Sequence, residues 1–403
     1  MDVRRTNRAK ALPRRGRSAA LTPLLASAFV LPVSLHAAQS PGIESICSRL
    51  LFAGEDNQFG LDQQIFVSEA DGRDRVQVSS LTESNWIAND IYEAEWMSDG
   101  RIVLNEIYVK LGRNYRIVDV DGSGRRVIPT DRYLTPAPDA DKLAAAGFGY
   151  NGIEIYRPNG NLIGSRSGGE IYDPRWASTS DALAWVETDS ASRSRTLFVA
   201  DGLVRNAVSL SRVGLNQRNL AFQWSPDGTA IVWSDGSSIS TASADGSNRR
   251  VLSPSSGQSP SWSPDGRRIA WDDGSSIVVA DADGANASAV TATSGQPLWS
   301  SDNTHIAWFD GEELQIVNID DGSVTVVSVA GEDLGDFGAS PDPTFGFSPD
   351  GTRFAWVTPN NIWVSNSDGT DPVLAFTDES ERLSDLWFGP DWSPDSSVFA
   401  VDS

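Results

Sequence analysis

The chain has 403 residues, 21% charged and 39% hydrophobic, which suffices for a large core and excludes a disordered chain. Its formal net charge is -22, and Arg4, Arg5, Arg8, Lys10, Arg14, Arg15 and Arg17 sit at the start, so the remainder is more acidic still. Such a surface repels phosphate backbones and anionic headgroups and argues against nucleic acid as a partner.

Residues 1–38 read as an export signal. A basic segment precedes an apolar run from Ala19 to Leu35, and small residues follow at Ala37, Ala38 and Ser40. Pro23 and Pro32 interrupt that run, which is short for a permanent span, so no stable membrane insertion is expected once the signal is removed. A retained anchor is the alternative. Cys47 is the single cysteine, which excludes an internal disulfide; its alternation with Arg49 and Leu51 predicts a buried, inert thiol.

From residue 46 onward a repeat runs through the chain. Arg49-Leu50-Leu51-Phe52 reads as an opening strand, and Ile65–Val67 as a second that turns at Asp71-Gly72. The first altered turn is Trp96-Met97-Ser98-Asp99-Gly100, and a worn copy spans Ala137-Pro138-Asp139-Ala140-Asp141-Lys142. Trp176 through Asp181 is another altered copy. Clear copies are Trp224-Ser225-Pro226-Asp227-Gly228, Trp262-Ser263-Pro264-Asp265-Gly266, Phe347-Ser348-Pro349-Asp350-Gly351 and Trp392-Ser393-Pro394-Asp395; Trp299-Ser300-Ser301-Asp302 departs only slightly. Proline fixes φ, Asp bonds its own backbone two residues on, and Gly supplies positive φ, so each copy folds one strand back on the next. A second large aromatic follows nine positions after the first, at Trp185, Trp233, Trp271, Trp308 and Trp356. Flat rings at fixed repeat positions predict packing between neighbouring sheets. Each repeat then adds a strand and an Asp-Gly hairpin: Ile117–Val120 with Asp121-Gly122, Ile239–Ala242 with Asp245-Gly246, Leu314–Val317 with Asp321-Gly322, and Ile362–Val364 with Asp368-Gly369. Leu197–Val199 turns at Asp201-Gly202, Ile277–Ala280 at Asp283-Gly284 and Ile153–Tyr156 at Asn159-Gly160.

The Asp anchors stand at 99, 139, 181, 227, 265, 302, 350 and 395, a spacing of one propeller blade. The predicted fold is all-β: a propeller of four-stranded antiparallel blades forming a single domain over 46–403. Eight blades are expected, or seven if Ala137–Gly164 is an insertion. The last anchor has no second half after it, and the chain opens with a second half, so pairing of the N- and C-terminal strands would close the ring and remove open edges.

The pattern x-W-S-P-D-G-x-x-I-A-W followed by I-x-V-x-D-x-D-G resembles the WD-like repeats of the TolB-type propeller family, most closely over 222–365. The resemblance implies a periplasmic protein that binds envelope proteins through its propeller, in a complex spanning the envelope of Gram-negative bacteria. This sequence departs from that family in leaving no room for its separate N-terminal α/β domain and in its larger blade count.

After the leader the chain has one histidine, His305, and one cysteine, too few for a His/Cys metal site. It has no G-x-S-x-G elbow, no hydrolase domain and none of the metal-binding histidines of the lyases among the repeat's relatives. Calcium is weighed at Asp119-Val120-Asp121-Gly122-Ser123-Gly124 and Asp281-Ala282-Asp283-Gly284, where carboxylates alternate before Gly, but neither supplies a full ligand set and hairpin turns are expected. No catalytic residue and no cofactor are assigned. Binding is expected on segments ahead of the innermost strands: Tyr92 and Glu93 before Trp96, Tyr172, Asp173 and Arg175 before Trp176, with Gln223, Gln296 and Asp391 in comparable places. They would line an acidic funnel suited to a basic peptide or cationic ligand. The expected role is a non-catalytic, monomeric, exported scaffold that binds a periplasmic or envelope protein. The alternatives are a carboxylate-based or calcium-assisted hydrolase or lyase acting on carbohydrate, and a small-ligand sensor using the central channel.

Overall fold

A computed structural model describes residues 49–55, 63–69, 76–77, 89–108, 112–178, 181–215, 220–255, 257–327, 345–358, 361–377, 391–392 and 399–400. The export signal, Cys47, the Asp71-Gly72 turn and the Ser393–Asp395 turn lie outside them. All described elements are strands, paired antiparallel in eight sheets taken here in chain order. Sheet I holds Arg49–Glu55, Gln63–Glu69 and Val76–Gln77. Sheet II runs Asn89–Trp96, Ile102–Tyr108, Gly112–Val118 and Arg126–Ile128. Sheet IV is Ala221–Trp224, Ala230–Ser234, Ile239–Ser243 and Arg250–Ser253. Sheet V is Gln258–Trp262, Arg268–Asp272, Ile277–Asp281 and Ser288–Ala289. Sheet VI is Leu298–Trp299, His305–Phe309, Leu314–Asn318 and Val324–Val327. Sheet VII is Phe345–Phe347, Arg353–Val357, Asn361–Asn366 and Val373–Thr377, and Asp391–Trp392 pairs with Phe399–Ala400 as sheet VIII.

Sheet III departs from the expected pattern. The sequence separates its residues into two repeats, each with four strands of its own; the structure joins them in one six-stranded sheet. Its strands are Tyr133–Pro136, Leu143–Tyr156, Leu162–Trp176, Ala182–Asp189, Ser194–Asp201 and Val208–Gly214. The two long strands bend. Fourteen residues fully extended would span roughly 46 Å, yet Arg157, just past Leu143–Tyr156, lies 3.9 Å from Asp141, just before it. Gly147 and Gly152 take φ of 147° and 81° within that strand, a freedom side-chain-bearing residues lack. Leu162–Trp176 shifts register twice between Arg166 and Ile171, around the Gly168-Gly169 pair. Where other repeats have a loop before the next inner strand, these few small residues carry the chain on extended, and the two units fuse.

The Ser-Pro-Asp-Gly copies are more than turns. In the four described copies with a serine after the aromatic, at Ser225, Ser263, Ser300 and Ser348, the hydroxyl is buried and acts as a clip. Ser263 Oγ donates to Asp265 Oδ1 at 2.6 Å and accepts the Arg268 N–H at 2.9 Å. Ser225, Ser300 and Ser348 repeat both bonds with Asp227, Asp302 and Asp350 and with the N–H groups of Ala230, His305 and Arg353. The clip fixes where the second strand starts, and with it the register that turns its apolar face inward.

The core lies between sheets. Leu197, Val199 and Leu210 of sheet III pack on Phe222, Trp224, Ile231 and Trp233 of sheet IV. Trp262, Ile269 and Trp271 of sheet V meet Val232 and Ile239. Trp299, Ile306 and Trp308 meet Ile277 and Val279, and Phe354 and Trp356 meet Leu314 and Ile316. Trp176, Trp224, Trp262 and Trp299 of the first series and Trp185, Trp233, Trp271, Trp308 and Trp356 of the second are therefore core, as their spacing predicts.

Candidate functional site

Antiparallel order gives the sheets two ends. The Ser-Pro-Asp-Gly turns and the Asp-Gly hairpins share one, the motif end. The other, the connection end, carries the turns between second and third strands and the links to the next sheet. The first strand of sheet V approaches those of sheets IV and VI, so these first strands form the inner edges of their sheets.

At the motif end, successive turns are tied to one another. Arg101 Nη2 donates to the Ala140 carbonyl at 3.1 Å. Lys142, largely buried, stands 3.3 Å from Asp139 and 3.1 Å from Asp181, two anchors of neighbouring repeats. Burial works against its charge, but the two carboxylates prevail and hold its pKa above the ordinary lysine value. Ser178 Oγ donates to the Pro226 carbonyl, the Asp265 N–H to Asn303 Oδ1, and Ser301 Oγ to the Ser348 carbonyl. The calcium candidates belong to this end and serve as turns. Asp121 accepts the Ser123 N–H at 2.9 Å, Asp283 accepts that of Ala285 at 3.0 Å, and Asp281 takes the Asn286 side chain at 2.6 Å. No group of three or more His, Cys, Asp or Glu that could hold a metal occurs among the described residues. His305 is buried in the place of Arg268, bonded to Thr304 Oγ1 at 2.8 Å.

The expected binding residues lie along the first strands. Tyr92 and Glu93 are in Asn89–Trp96, where the register shifts between Ile91 and Glu93, so Tyr92 is the extra residue of a β-bulge. Tyr172 pairs with Val186, and Asp173 falls in a second bulge that ends at Arg175. A third bulge takes up Ser259 and Pro260 between Gln258 and Ser261. Bulges re-aim side chains and end pairing. Arg175, Gln223 and Asp391 share one place, directly before the Trp. Gln296 does not share it: it stands ahead of Pro297, outside the strand, and is exposed.

Two of these residues also serve the junction between sheets. Gln223 Oε1 accepts the backbone N–H of Trp262 at 2.7 Å, and the Arg175 guanidinium lies 5.5 Å from the Phe222 ring centre. The backbone at this position has a recurring partner. Trp176 donates its indole N–H to the Thr135 carbonyl, Trp224 to Arg175, Trp299 to Ser261 and Trp392 to Gly346, at 3.0 to 3.2 Å. Trp262 Nε1 makes no such bond; its backbone is held by Gln223 instead.

Sequence reasoning missed a constellation at the connection end of sheet III. Arg166 lies over the stacked rings of Trp185 and Phe198, 5.5 Å and 4.5 Å from their centres, and pairs with Glu187. Glu187 also accepts the Gly169 N–H at 2.9 Å. Beside it, Arg132 donates to the Gly152 carbonyl at 2.9 Å, approaches Glu154 at 3.8 Å and lies 5.7 Å from the Tyr150 ring centre. Tyr156 donates to Glu154 at 2.9 Å; burial, then Glu154, push its pKa up to about 12. The two groups meet where Gly152 packs against the Arg166 backbone, so closely that a Cβ would lie 2.3 Å from the Arg166 carbonyl oxygen. The available sequence signal was negative: Ser167-Gly168-Gly169 is where the loop pattern fails. Local patterns break at sites more often than elsewhere. Chemically, this patch offers two partly exposed guanidinium groups, aromatic edges and two hydrogen-bonded carboxylates. It suits recognition of polar and planar groups.

No protein-family model matches the chain, and no curated protein matches it. Among solved structures it is similar to the crystal structure of the eukaryotic initiation factor, at 14% identity and a TM-score of 0.57, over 81% of this chain and 86% of that one. It also aligns with an oligogalacturonate lyase from Vibrio parahaemolyticus (14% identity, TM-score 0.42, 81% and 85% covered). TolB from Acinetobacter baumannii aligns at 16% identity and a TM-score of 0.32, over 69% and 79%. The first likeness shows fold alone, and the other two add nothing to it. The shared fold, with its succession of radially packed antiparallel sheets, is of the β-propeller type.

Proposed function

We propose that the chain is a non-catalytic binding scaffold, exported to the periplasm or envelope, that engages a protein partner at the connection end. The observation that carries this reading is the sheet III constellation: Arg166, Glu187, Trp185 and Phe198 beside Arg132, Glu154, Tyr150 and Tyr156. Each of its charges is paired, which suits a preorganised recognition surface better than a reacting centre. Tyr92, Glu93, Tyr172, Asp173, Arg175, Gln223 and Asp391 would extend it along the inner strands, with Gln296 at its rim. In the same reading the two bent strands of sheet III count as two arms each. That makes eight blades, with sheets VIII and I sharing the one that closes the ring, and seven if the fused units count once. The scaffold would work as a monomer, released from its leader.

The full chain as bait in an envelope extract, with and without a calcium chelator, tests the role. A reproducible protein partner that survives chelation and is lost in Arg166→Ala supports it. A partner lost only with chelator would move weight to the calcium loops, and none in either condition would sink the scaffold role. In that last case a carbohydrate-active enzyme or small-ligand sensor takes its place.

A further inference from the structure

The outer edges of the sheets are not equally protected. An exposed outer strand is a template for another chain, and proteins blunt it with charge, proline or brevity. Sheet II ends in Arg126–Ile128 after Arg125, sheet IV in Arg250–Ser253 after Arg249, and the outer strand of sheet III contains Arg212. Sheet VII's outer strand follows Asp371-Pro372, and those of sheets I and V have only two residues each. Sheet VI differs. Its outer strand Val324–Val327 lies in the uncharged, proline-free run Ser323-Val324-Thr325-Val326-Val327-Ser328-Val329.

The register fixes which groups that strand presents. Asn318 N–H bonds to the Ser323 carbonyl, and Val324 opposes Val317, Thr325 Ile316, Val326 Gln315 and Val327 Leu314. Antiparallel pairs alternate, so Ser323, Thr325 and Val327 turn their backbone groups inward, and Val324 and Val326 turn theirs outward. The Thr325 and Val327 side chains pack toward Gly369 of sheet VII, while those of Val324 and Val326 are 47% and 44% exposed. Among the described residues no strand pairs with this one from outside, so outward backbone groups and an apolar row lie on one exposed edge.

The charges around the edge select its occupant. Asp320 and Asp321 are exposed at one end, Asp320 with Arg268 3.8 Å away, and Glu312 and Glu313 are exposed at the other, next to Leu314. Self-pairing of two copies about a twofold axis would set the Asp pair of one against the Glu pair of the other, a like-charge contact. We propose that the outer edge of sheet VI accepts an extended segment of a partner protein as an added strand, uncharged and β-branched in its middle and carrying Lys or Arg at both ends. Backbone hydrogen bonds would supply affinity and the flanking carboxylates the choice of segment. The edge lies on the rim and stands independently of the role given to the connection end.

The probe is a labelled peptide, Arg-Arg-Thr-Val-Thr-Val-Thr-Arg-Arg, titrated into the full chain by fluorescence anisotropy, with a Glu-for-Arg peptide alongside. The Arg peptide binds, the Glu peptide does not, and amide exchange slows at Val324 and Val326. V326P removes an outward donor and V326K adds a charge to the edge; each weakens binding about tenfold or more. V326K leaves every backbone group in place, so it carries the test if V326P fails to fold. Equal binding of the two peptides, no binding of either, unchanged affinity in V326K, or protection confined to other strands overturns the proposal. So does a dimer in sedimentation that V326K dissolves.

Discussion

Ser263→Ala isolates the serine clip. The hydroxyl is fully buried, donating to Asp265 at 2.6 Å and accepting the Arg268 N–H at 2.9 Å. Its loss leaves that N–H without its acceptor, while Asp265 keeps the Arg267 N–H at 3.0 Å. An orphaned buried donor costs about 1–3 kcal/mol and a lost bond to a charged group somewhat more than a neutral one, so about 2–3 kcal/mol is expected for the pair. With a urea dependence of about 3 kcal/mol per molar, the midpoint followed by tryptophan fluorescence falls by roughly 0.7–1 M. Ser247→Ala is the control: the same bond, to Asp245, lies in an exposed hairpin, and its midpoint stays within experimental scatter. The effect also has a pH signature. Partial burial raises the Asp265 pKa, but the Ser263 hydroxyl, the Arg267 N–H and the nearby guanidinium groups outweigh it and hold it below the usual carboxylate range. A lowered carboxylate pKa stabilises the fold above the unfolded-state value of about 3.9, and that contribution is lost as pH falls through the folded-state value. The part of the S263A deficit that comes through Asp265 is thus fullest at neutral pH and shrinks below about pH 4. Equal midpoints for S263A and S247A, or a deficit that grows on acidification, would refute the clip.

Three further outcomes follow from the site and the junctions. W224F and W262F remove similar buried volume, but only Trp224 donates to a neighbouring sheet, so W224F is less stable by about 1 kcal/mol in the same urea assay. In a spectrophotometric titration one tyrosine ionises near 12 and vanishes from the curve in Y156F. Because that pKa is raised, its stabilising contribution is complete below about pH 10 and is lost between there and 12. Burial, helped by Asp273 and opposed by the Gly274 N–H, raises the pKa of Asp272, so D272N raises the thermal midpoint at pH 7, and the gain fades as the pH is lowered.

The fold was legible where the chain repeats itself. Trp, Asp and Gly recur at fixed steps, and each step reports a local event: a turn, a hairpin, a buried ring. The clip was half legible; Pro, Asp and Gly have turn roles readable from type, but Ser263 matters through a bond to the Arg268 N–H that only the closed turn creates. The fusion in sheet III was hidden because its cause is what the chain lacks there, a loop. The constellation was hidden for another reason: Arg132, Gly152, Arg166, Glu187 and Phe198 are scattered in sequence and meet only through strand pairing. From its type and place Gln223 reads as a funnel-lining side chain, but its Oε1 holds the next sheet through the Trp262 N–H, a partner 39 positions away that only the packed sheets bring near.

Prolines recur along the inner strands. Pro174, Pro260 and Pro297 each stand two positions before a Trp in or just ahead of a first strand, and Pro390 occupies that place in sequence before Trp392. A proline has no amide proton to give, so the backbone offers no donor at Pro174, Pro260 or Pro297. Inside the ring proposed above, such strands would make a poor zipper: a thread laid along them would find gaps where donors should recur. Such a thread would be held by side chains one at a time, whereas the outer strand of sheet VI offers the uninterrupted amides of Val324 and Val326.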